Sequence, residues 1–171
     1  MAVLWCLRFM VLMCGFYLSH CEVIHLGAGS SYKEFRKIQN KESEMVWIKG
    51  CKDAVIGLFE STDVSSLVFE LVIGGYGNKK TTLREKFVGV NMAESFDPDL
   101  MINPNQYTPF WIKWTSDTVY LRPGNMDSNG PVLQWTRHDT VSVRYMAFRT
   151  GYECPVKVMW NLTCSKVDIT D

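Results

Sequence analysis

The alternation of side chains across residues 108–122 constrains the fold of this chain more than any other feature of its sequence. Phe110, Ile112 and Trp114 fall on one side of an extended segment, and the residues between them fall on the other. Aromatic and β-branched residues with a period of two are typical of a half-buried β-strand. Residues 115–118 then predict a tight turn, because Ser and Asp side chains bond to nearby backbone amides. The stretch therefore predicts a β-hairpin.

Segments of the same kind recur along most of the chain, and turn residues separate them. The 171 residues suffice for one domain with a sizeable core, and the 13% that are aromatic suit a β-rich core. Few stretches show a helical period. The sequence therefore predicts an all-β fold, an antiparallel, jelly-roll-like β-sandwich of seven to nine short strands. Besides the hairpin, the predicted strands cover residues 45–49, 54–59, 67–73, 79–87, 132–135, 141–148 and 156–162.

Three glycine- or proline-rich stretches lie between these strands. Residues 23–31 run from apolar side chains into Gly27 and Gly29, which is superficially like the first motif of a nucleotide- or S-adenosylmethionine-binding fold. Such folds alternate strands with helices, so we expect an ordinary loop here. Residues 74–78 predict a sharp turn or bulge rather than a phosphate loop, because no helix start follows. Residues 97–106 predict a long surface loop.

Residues 1–21 have the composition of a secretory signal peptide. Residues 9–18 form its apolar core, and Ser19 and Cys21 place small side chains where a signal peptidase cleaves. A membrane anchor is the alternative, but the apolar run is shorter than the ~20 residues that span a bilayer. We expect residues 22–171 to form one soluble, secreted, extracellular domain without a transmembrane segment. Lys and Arg number 18, as do Asp and Glu, so no charge excess favours nucleic acid as a partner.

Cleavage before Glu22 leaves three of the six cysteines, Cys51, Cys154 and Cys164. An odd number predicts one disulfide and one further thiol, either buried or bonded to a second copy in a disulfide-linked homodimer. No spacing matches a CxxC metal clamp, so no metal site is predicted. An extended strand between Cys154 and Cys164 would hold them ~30 Å apart, far beyond the reach of a disulfide. The prediction is a Cys51–Cys164 bond, with Cys51–Cys154 as the alternative.

The last predicted strand carries a glycosylation sequon. Asn161, Leu162 and Thr163 match the N-x-Ser/Thr pattern, and Asn161 shares a strand face with Lys157. We expect Asn161 to be glycosylated if the chain is secreted.

Several blocks of the sequence resemble the farnesoic acid O-methyltransferase domain family. These blocks occur in the family's order, and together they span residues 35–162. Tyr76 and Tyr152 stand where the family usually has Trp, and residues 100–103 lack a cysteine that family members often carry. The similar segments are residues 51–54, 69–78 with Arg84, 109–114, 147–152 and Trp160.

The family name implies an S-adenosylmethionine-dependent methyltransferase acting on a sesquiterpenoid acid in juvenile-hormone metabolism. The family's domain also recurs in extracellular multidomain proteins, which implies binding. The residues themselves predict no catalytic group and no cofactor. His25 and His138 have no Ser or Cys partner at a recognisable spacing, and residues 26–31 lie outside the similar segments.

The leading functional hypothesis is a secreted, non-catalytic recognition module. Its partner would be a carbohydrate, an apolar small molecule or an extracellular protein, bound at one end of the sandwich. Aromatic faces suit sugar rings or apolar ligands. The alternatives are a farnesoic acid O-methyltransferase and a disulfide-linked extracellular structural component. The candidate ligand-binding residues are Tyr76, Asn78, Lys79, Lys80, Arg84 and Tyr152.

Overall fold

The computed structural model describes residues 22–86, 89–127, 129–151 and 153–160. The predicted signal peptide, the candidate ligand residue Tyr152, the sequon residue Asn161 and the cysteine Cys164 lie outside the described residues.

The described residues form twelve strands and three short helical turns. The turns are Val64–Ser66, Gly75–Asn78 and Pro98–Leu100. Within the described residues, no helix is long and apolar enough to cross a membrane. The strands are β1 (Glu22–Leu26), β2 (Lys33–Lys37), β3 (Ser43–Gly50), β4 (Ala54–Phe59), β5 (Leu67–Gly74), β6 (Lys80–Arg84), β7 (Asn91–Ser95), β8 (Thr108–Trp114), β9 (Thr118–Pro123), β10 (Leu133–Thr136), β11 (Tyr145–Thr150) and β12 (Val156–Trp160).

The strands build two six-stranded antiparallel sheets. Sheet A has the order β1-β12-β3-β8-β9-β10, and sheet B has the order β2-β11-β4-β5-β6-β7. This confirms the predicted antiparallel sandwich. The predicted number of strands was too low because β1, β2 and β7 were missed. All three are edge strands that pair on one side only, so their side chains show little of the apolar alternation that marks a central strand.

The hairpin predicted at residues 108–122 is confirmed as β8 and β9. Phe110 and Ile112 are fully buried between the sheets. Trp114 lies opposite Val119, and the amide of Thr115 donates a hydrogen bond to the carbonyl of Thr118 at 2.8 Å. The hairpin lies inside sheet A, so its apolar face forms part of the main core.

β4 is buried along its whole length because apolar side chains cover both of its faces. Its outward side, on the face of sheet B that points away from sheet A, contacts rings from the β1–β2 loop and from β2. Tyr32 and Phe35 pack edge to face on Phe59, with ring centroids 5.0 and 4.9 Å apart. A Cβ at Gly57 would lie 2.6 Å from Cζ of Phe59 and 2.8 Å from the Tyr32 ring, so glycine leaves room for both rings.

Two predicted boundaries need correction. Residues 97–106 are not a simple surface loop, since Leu100 and Ile102 are 1% and 3% exposed. The hydroxyl of Thr81 also donates to the carbonyl of Leu100 at 2.6 Å. The predicted strand at 141–148 begins at Tyr145, because the amides of Val141 and Ser142 bond to loop residues instead of a ladder. Val141, for example, donates its amide to the carbonyl of Ser116.

The disulfide joins Cys51 to Cys154, with their Cα atoms 6.1 Å apart, so the predicted Cys51–Cys164 pairing was wrong. β3 and β12 are antiparallel neighbours, with Gly50 opposite Val156. Cys51 directly follows β3 and Cys154 precedes β12, so both lie at the same end of sheet A. β12 runs away from this end of the sheet, and its last residue, Trp160, lies opposite Val46. The prediction was wrong because it placed the C-terminal ends of β3 and the last strand side by side. In an antiparallel pair the C-terminal end of one strand lies beside the N-terminal end of the other.

Replacement of Cys51 and Cys154 by Ser should destabilise the domain by roughly 4–5 kcal/mol, because their bond closes a long loop. Their sequence separation is 103 residues. Urea unfolding monitored by tryptophan fluorescence measures the change. Cys164→Ser is the matched control and should leave the unfolding midpoint unchanged. An equal loss in the control would contradict the observed pairing.

Candidate ligand-binding site

Glu70 is a fully buried carboxylate on the outer face of sheet B. Its neighbours along β5 point into the core, so its own side chain points away from sheet A. The hydroxyl of Tyr32 donates to Oε1 at 2.8 Å, and the guanidinium of Arg149 donates to the same oxygen at 2.7 Å. Arg84 donates to Oε2 at 3.4 Å. A buried charge is tolerated only with such partners, and removing one side of a buried pair typically costs ~3–5 kcal/mol.

The hydrogen bonds continue from Arg84 toward the edge of sheet B. The Nε of Arg84 donates to Asn91 Oδ1 at 2.9 Å, and the amide of Asn91 donates to Glu94 at 3.3 Å. Lys80 pairs with the same Glu94 oxygen at 3.0 Å. We call the whole set the Glu70 network; it comprises Tyr32, Glu70, Lys80, Arg84, Asn91, Glu94 and Arg149.

The Glu70 network holds its arginines rigidly but leaves them in contact with solvent. The side chains of Arg84 and Arg149 keep 22% and 13% of their exposure. The guanidinium of Arg149 also lies over the Tyr32 ring, 5.3 Å from its centroid. Donors fixed by a buried carboxylate lose little side-chain entropy when they bind a ligand. The network therefore presents pre-organised hydrogen-bond donors on an open sheet face.

The Glu70 network alters the acidity of its members. Burial, reinforced by the Glu70 charge, raises the pKa of Tyr32 well above its ordinary value. Burial lowers the pKa of Arg149, but the hydrogen bond to Glu70 and the nearby acidic groups outweigh it and leave that pKa raised. The hydrogen bond from Lys80 lowers the pKa of Glu94. Each shift keeps its group in the protonation state that the hydrogen bonds require.

Asp53 extends this polar face toward the end of sheet B. Burial raises the pKa of its carboxyl, while the charge of Lys52 acts in the opposite direction. The backbone amide of Asp53 donates a hydrogen bond to the carbonyl of Gly74, and the carbonyl of Asp53 accepts one from the amide of Gly151. The side chain of Asp53 packs directly on Gly151. The carboxylate accepts no hydrogen bond from any residue in the described part of the chain. Thr82, farther along the same face, also has a buried hydroxyl without a partner among the described residues.

The turn between β5 and β6 is left-handed. Gly74, Tyr76, Gly77 and Asn78 all have positive φ, between 54° and 71°. Non-glycine residues pay roughly 1–2 kcal/mol each for this conformation. The side-chain amide of Asn78 offsets part of that cost. Its Nδ2 donates to the backbone carbonyl of Ile102 at 2.7 Å, and its Oδ1 accepts from the backbone N–H of Ile102 at 3.2 Å. The ring of Tyr76 is left 79% exposed. A strained turn that projects an exposed ring is typical of a binding site.

The structure separates the candidate residues predicted from sequence into two groups. Lys80 and Arg84 belong to the Glu70 network. Tyr76 and Lys79 are exposed at the turn beside it. Asn78 lies in the same turn, but both ends of its amide bind Ile102.

Sequence reasoning missed Glu70 and Arg149, the centre of the network. The signal for Glu70 was present, because it is the only charged residue in the apolar run of β5. A lone charge in a fully buried strand needs a partner. Arg149 follows the apolar start of β11, but nothing in the sequence connects it to a residue 79 positions away.

Other surfaces carry clefts of moderate size. One of about 420 Å³ lies beside the disulfide and is lined by Lys49, Lys157 and His25. Another, of about 400 Å³, lies beside Trp111 and Met45. Both are on the outer face of sheet A, away from the Glu70 network. Among the described residues, no group of three or more His, Cys, Asp or Glu side chains could hold a metal ion.

Tyr32→Phe should lower the free energy of unfolding by about 1–2 kcal/mol at neutral pH, because Glu70 loses a donor. The raised pKa means that the folded state holds the phenolic proton more tightly than the unfolded chain does. This contribution is complete below pH 10.0, the ordinary pKa, and is lost as the pH rises through the folded value. Urea unfolding at several alkaline pH values should therefore show a shallower decline in the variant. Tyr120→Phe, on sheet A, is the control; the same shallower decline there would contradict the assignment.

Comparison with solved structures agrees with the sandwich fold. Chicken galectin 2 aligns with a TM-score of 0.50 at 12% identity, covering 75% of this chain and 99% of the galectin. Sheep galectin-11, in complex with glycerol, aligns with a TM-score of 0.50 at 11% identity, covering 74% and 98% of the two chains. Identities this low establish similarity of fold. No curated protein matches the sequence.

A comparison with family models gives a more specific result. The model described as farnesoic acid O-methyl transferase matches residues 28–166, which is most of the chain. The match includes every strand except β1, and every member of the Glu70 network. The chain therefore belongs to the farnesoic acid O-methyl transferase family.

Proposed function

We propose that this chain is a secreted, non-catalytic recognition domain that binds a carbohydrate on the outer face of sheet B. The observation that carries the proposal is the Glu70 network, which fixes several hydrogen-bonding groups on an open face, with two exposed rings at the end of that face beside Lys80. Tyr76 is 79% exposed, and Phe96, which follows β7, is 64% exposed. The ammonium of Lys80 lies 5.8 Å from the centroid of the Phe96 ring.

This combination fits a sugar better than it fits an apolar small molecule. Sugar hydroxyls donate and accept, so a mixed row of guanidinium, amide and carboxylate groups can satisfy them in water. Aromatic side chains offer flat faces to sugar rings. An apolar ligand is normally enclosed in a concave, largely apolar site. The outer face of sheet B is instead open and polar from Arg84 to Lys80.

The galectin names of the fold neighbours are consistent with this proposal, but the side chains described above support it. Secretion is supported by the signal-peptide composition of residues 1–21 and by a disulfide, which persists in oxidising compartments. In the secreted protein Asn161 would carry a glycan. Cys164 would remain as the third cysteine of residues 22–171, available for a disulfide between two copies.

The methyltransferase alternative has less support from the geometry. Residues 26–31, the one candidate for a cofactor loop, connect β1 of sheet A to β2 of sheet B, so a strand and not a helix follows. The amide of Gly29 donates to the carbonyl of Gly151, and the amide of Ser30 donates to Gly27 and Thr150. These amides are hydrogen-bonded within the domain, so they are not directed at a cofactor as the amides of a phosphate-binding loop are.

Tyr76→Gly provides the sharpest test of the carbohydrate site. The change removes the backbone strain of a non-glycine residue in the left-handed conformation, so the free energy of unfolding should stay constant or rise by up to ~1 kcal/mol. On a glycan array, the same variant should lose about tenfold in affinity for the saccharides that the wild-type protein binds. Loss of binding in a variant of undiminished stability separates recognition from folding.

The control is Val64→Ala, an exposed residue between β4 and β5 at the opposite end of sheet B, which should bind as the wild-type protein does. The proposal is wrong if the wild-type protein binds no saccharide on the array. It is also wrong if Tyr76→Gly binds them undiminished.

S-adenosylmethionine should give no saturable heat when titrated at millimolar concentration into the purified protein by calorimetry. The expectation follows from the loop geometry at residues 26–31. A saturable isotherm would favour the methyltransferase and contradict the non-catalytic assignment.

A further inference from the structure

Charge is segregated on the outer face of sheet A, the face that points away from sheet B. Counted along β1, β3, β8, β9, β10 and β12, the outward positions include no Asp and no Glu. The whole chain is balanced, with 18 basic and 18 acidic residues, so the absence of acids from the outward positions of these described strands is a local property. The cationic and imidazole side chains on this face are His25, Lys49, Lys113, Arg122 and Lys157.

Three of these residues form a row across neighbouring strands. His25 lies directly opposite Lys157, and Lys157 lies directly opposite Lys49. Like charges opposite each other on a sheet repel. These side chains line the cleft of about 420 Å³, and none of the described residues that line it is acidic. An anion in the cleft would be attracted by this row of basic side chains.

Aromatic side chains also lie on this face, and one of them contacts another of its cations. Trp47 and Trp111 are half-buried on the outer face, and the guanidinium of Arg122 lies 5.9 Å from the centroid of the Trp111 ring. The register places Lys113 opposite Ser43, six residues along β3 from Lys49. Cations thus recur over roughly 20 Å of strand length.

The second cleft on the face lies beside Trp111. It has a volume of about 400 Å³, and its acidic lining residues are Glu44 and Asp127. Glu44 is neutralised by Lys41 at 2.6 Å, and Asp127 belongs to the β9–β10 loop. The acids near this face therefore lie at its margin, and the middle remains basic and aromatic.

We propose that the outer face of sheet A binds a linear sulfated polysaccharide, at a site separate from the Glu70 network. Charge complementarity supports this partner, because sulfate groups repeated along a chain can match cations repeated along the strands. The half-buried tryptophans would contact the sugar rings between the sulfates.

A membrane fits this face less well. Binding in a bilayer interface buries projecting apolar side chains. On the strands of this face, Val23 is the one large apolar residue that is exposed, at 36%. Trp47 and Trp111 are half-buried and are not among its exposed residues. Single-stranded nucleic acid also uses cations and aromatic rings, so it must be tested directly.

The test is binding of the full-length secreted protein to immobilised heparin in physiological salt. We expect the wild-type protein to bind heparin and to bind desulfated heparin and neutral dextran much more weakly. Lys113→Gln combined with Lys157→Gln should lower heparin affinity about tenfold, and Lys157→Gln alone by a smaller factor. Thermal unfolding confirms that each variant is folded.

The matched control is Lys33→Gln with Lys37→Gln, the same loss of charge on exposed residues of β2 in sheet B, and it should keep wild-type affinity. Tyr76→Gly should also retain heparin binding, which keeps this proposal separate from the carbohydrate site on sheet B. Absence of heparin binding, or an equal loss in the control, would overturn the proposal. So would tighter binding to phosphatidylserine vesicles or to a single-stranded DNA oligonucleotide than to heparin.

Discussion

The outer face of sheet B depends on one buried charge. Glu70 has no solvent exposure, so its carboxylate must be compensated by neighbouring protein groups. Tyr32, Arg84 and Arg149 supply that compensation, and they come from the β1–β2 loop and from strands on both sides of β5. Their bonds hold the ring of Tyr32 over Gly57 and fix the guanidinium groups on the surface. The same interaction thus closes a second apolar cluster and prepares the donors of the proposed carbohydrate site.

The sandwich has two outer faces with different chemistry. The face of sheet B mixes both signs of charge in one hydrogen-bonded network, which suits a neutral ligand rich in hydroxyls. The face of sheet A carries cations and tryptophans without an outward acid on its strands, which suits an anionic chain. Fold similarity to galectins does not distinguish these faces, because function depends on the side chains that a fold presents. A family name that implies methyl transfer is likewise a weaker guide than the groups on the two sheets.

Central strands could be predicted from sequence because burial of one face requires alternating apolar residues and burial of both faces requires a continuous apolar run. The period of two at Phe110, Ile112 and Trp114 placed a hairpin correctly. Edge strands carry little such pattern, which is why β1, β2 and β7 were missed. The disulfide pairing was predicted wrongly because it depends on strand direction, which places the end of β3 beside the start of β12. At the candidate site, Tyr76 could be identified from its glycine turn. The contact between Glu70 and Arg149 could not, because only sheet pairing brings residues so distant in sequence together.

The most direct test of the account is an NMR titration of the isotopically labelled protein with a saccharide that it binds, monitoring backbone amides and arginine Nε–H signals. We predict that Arg84, Asn91 and the Tyr76 turn shift together with saturation, while the hairpin of β8 and β9 is unchanged. Such a result would place the ligand on the Glu70 network. Shifts confined to the outer face of sheet A, or an unchanged Arg84 signal at saturating ligand, would contradict the account.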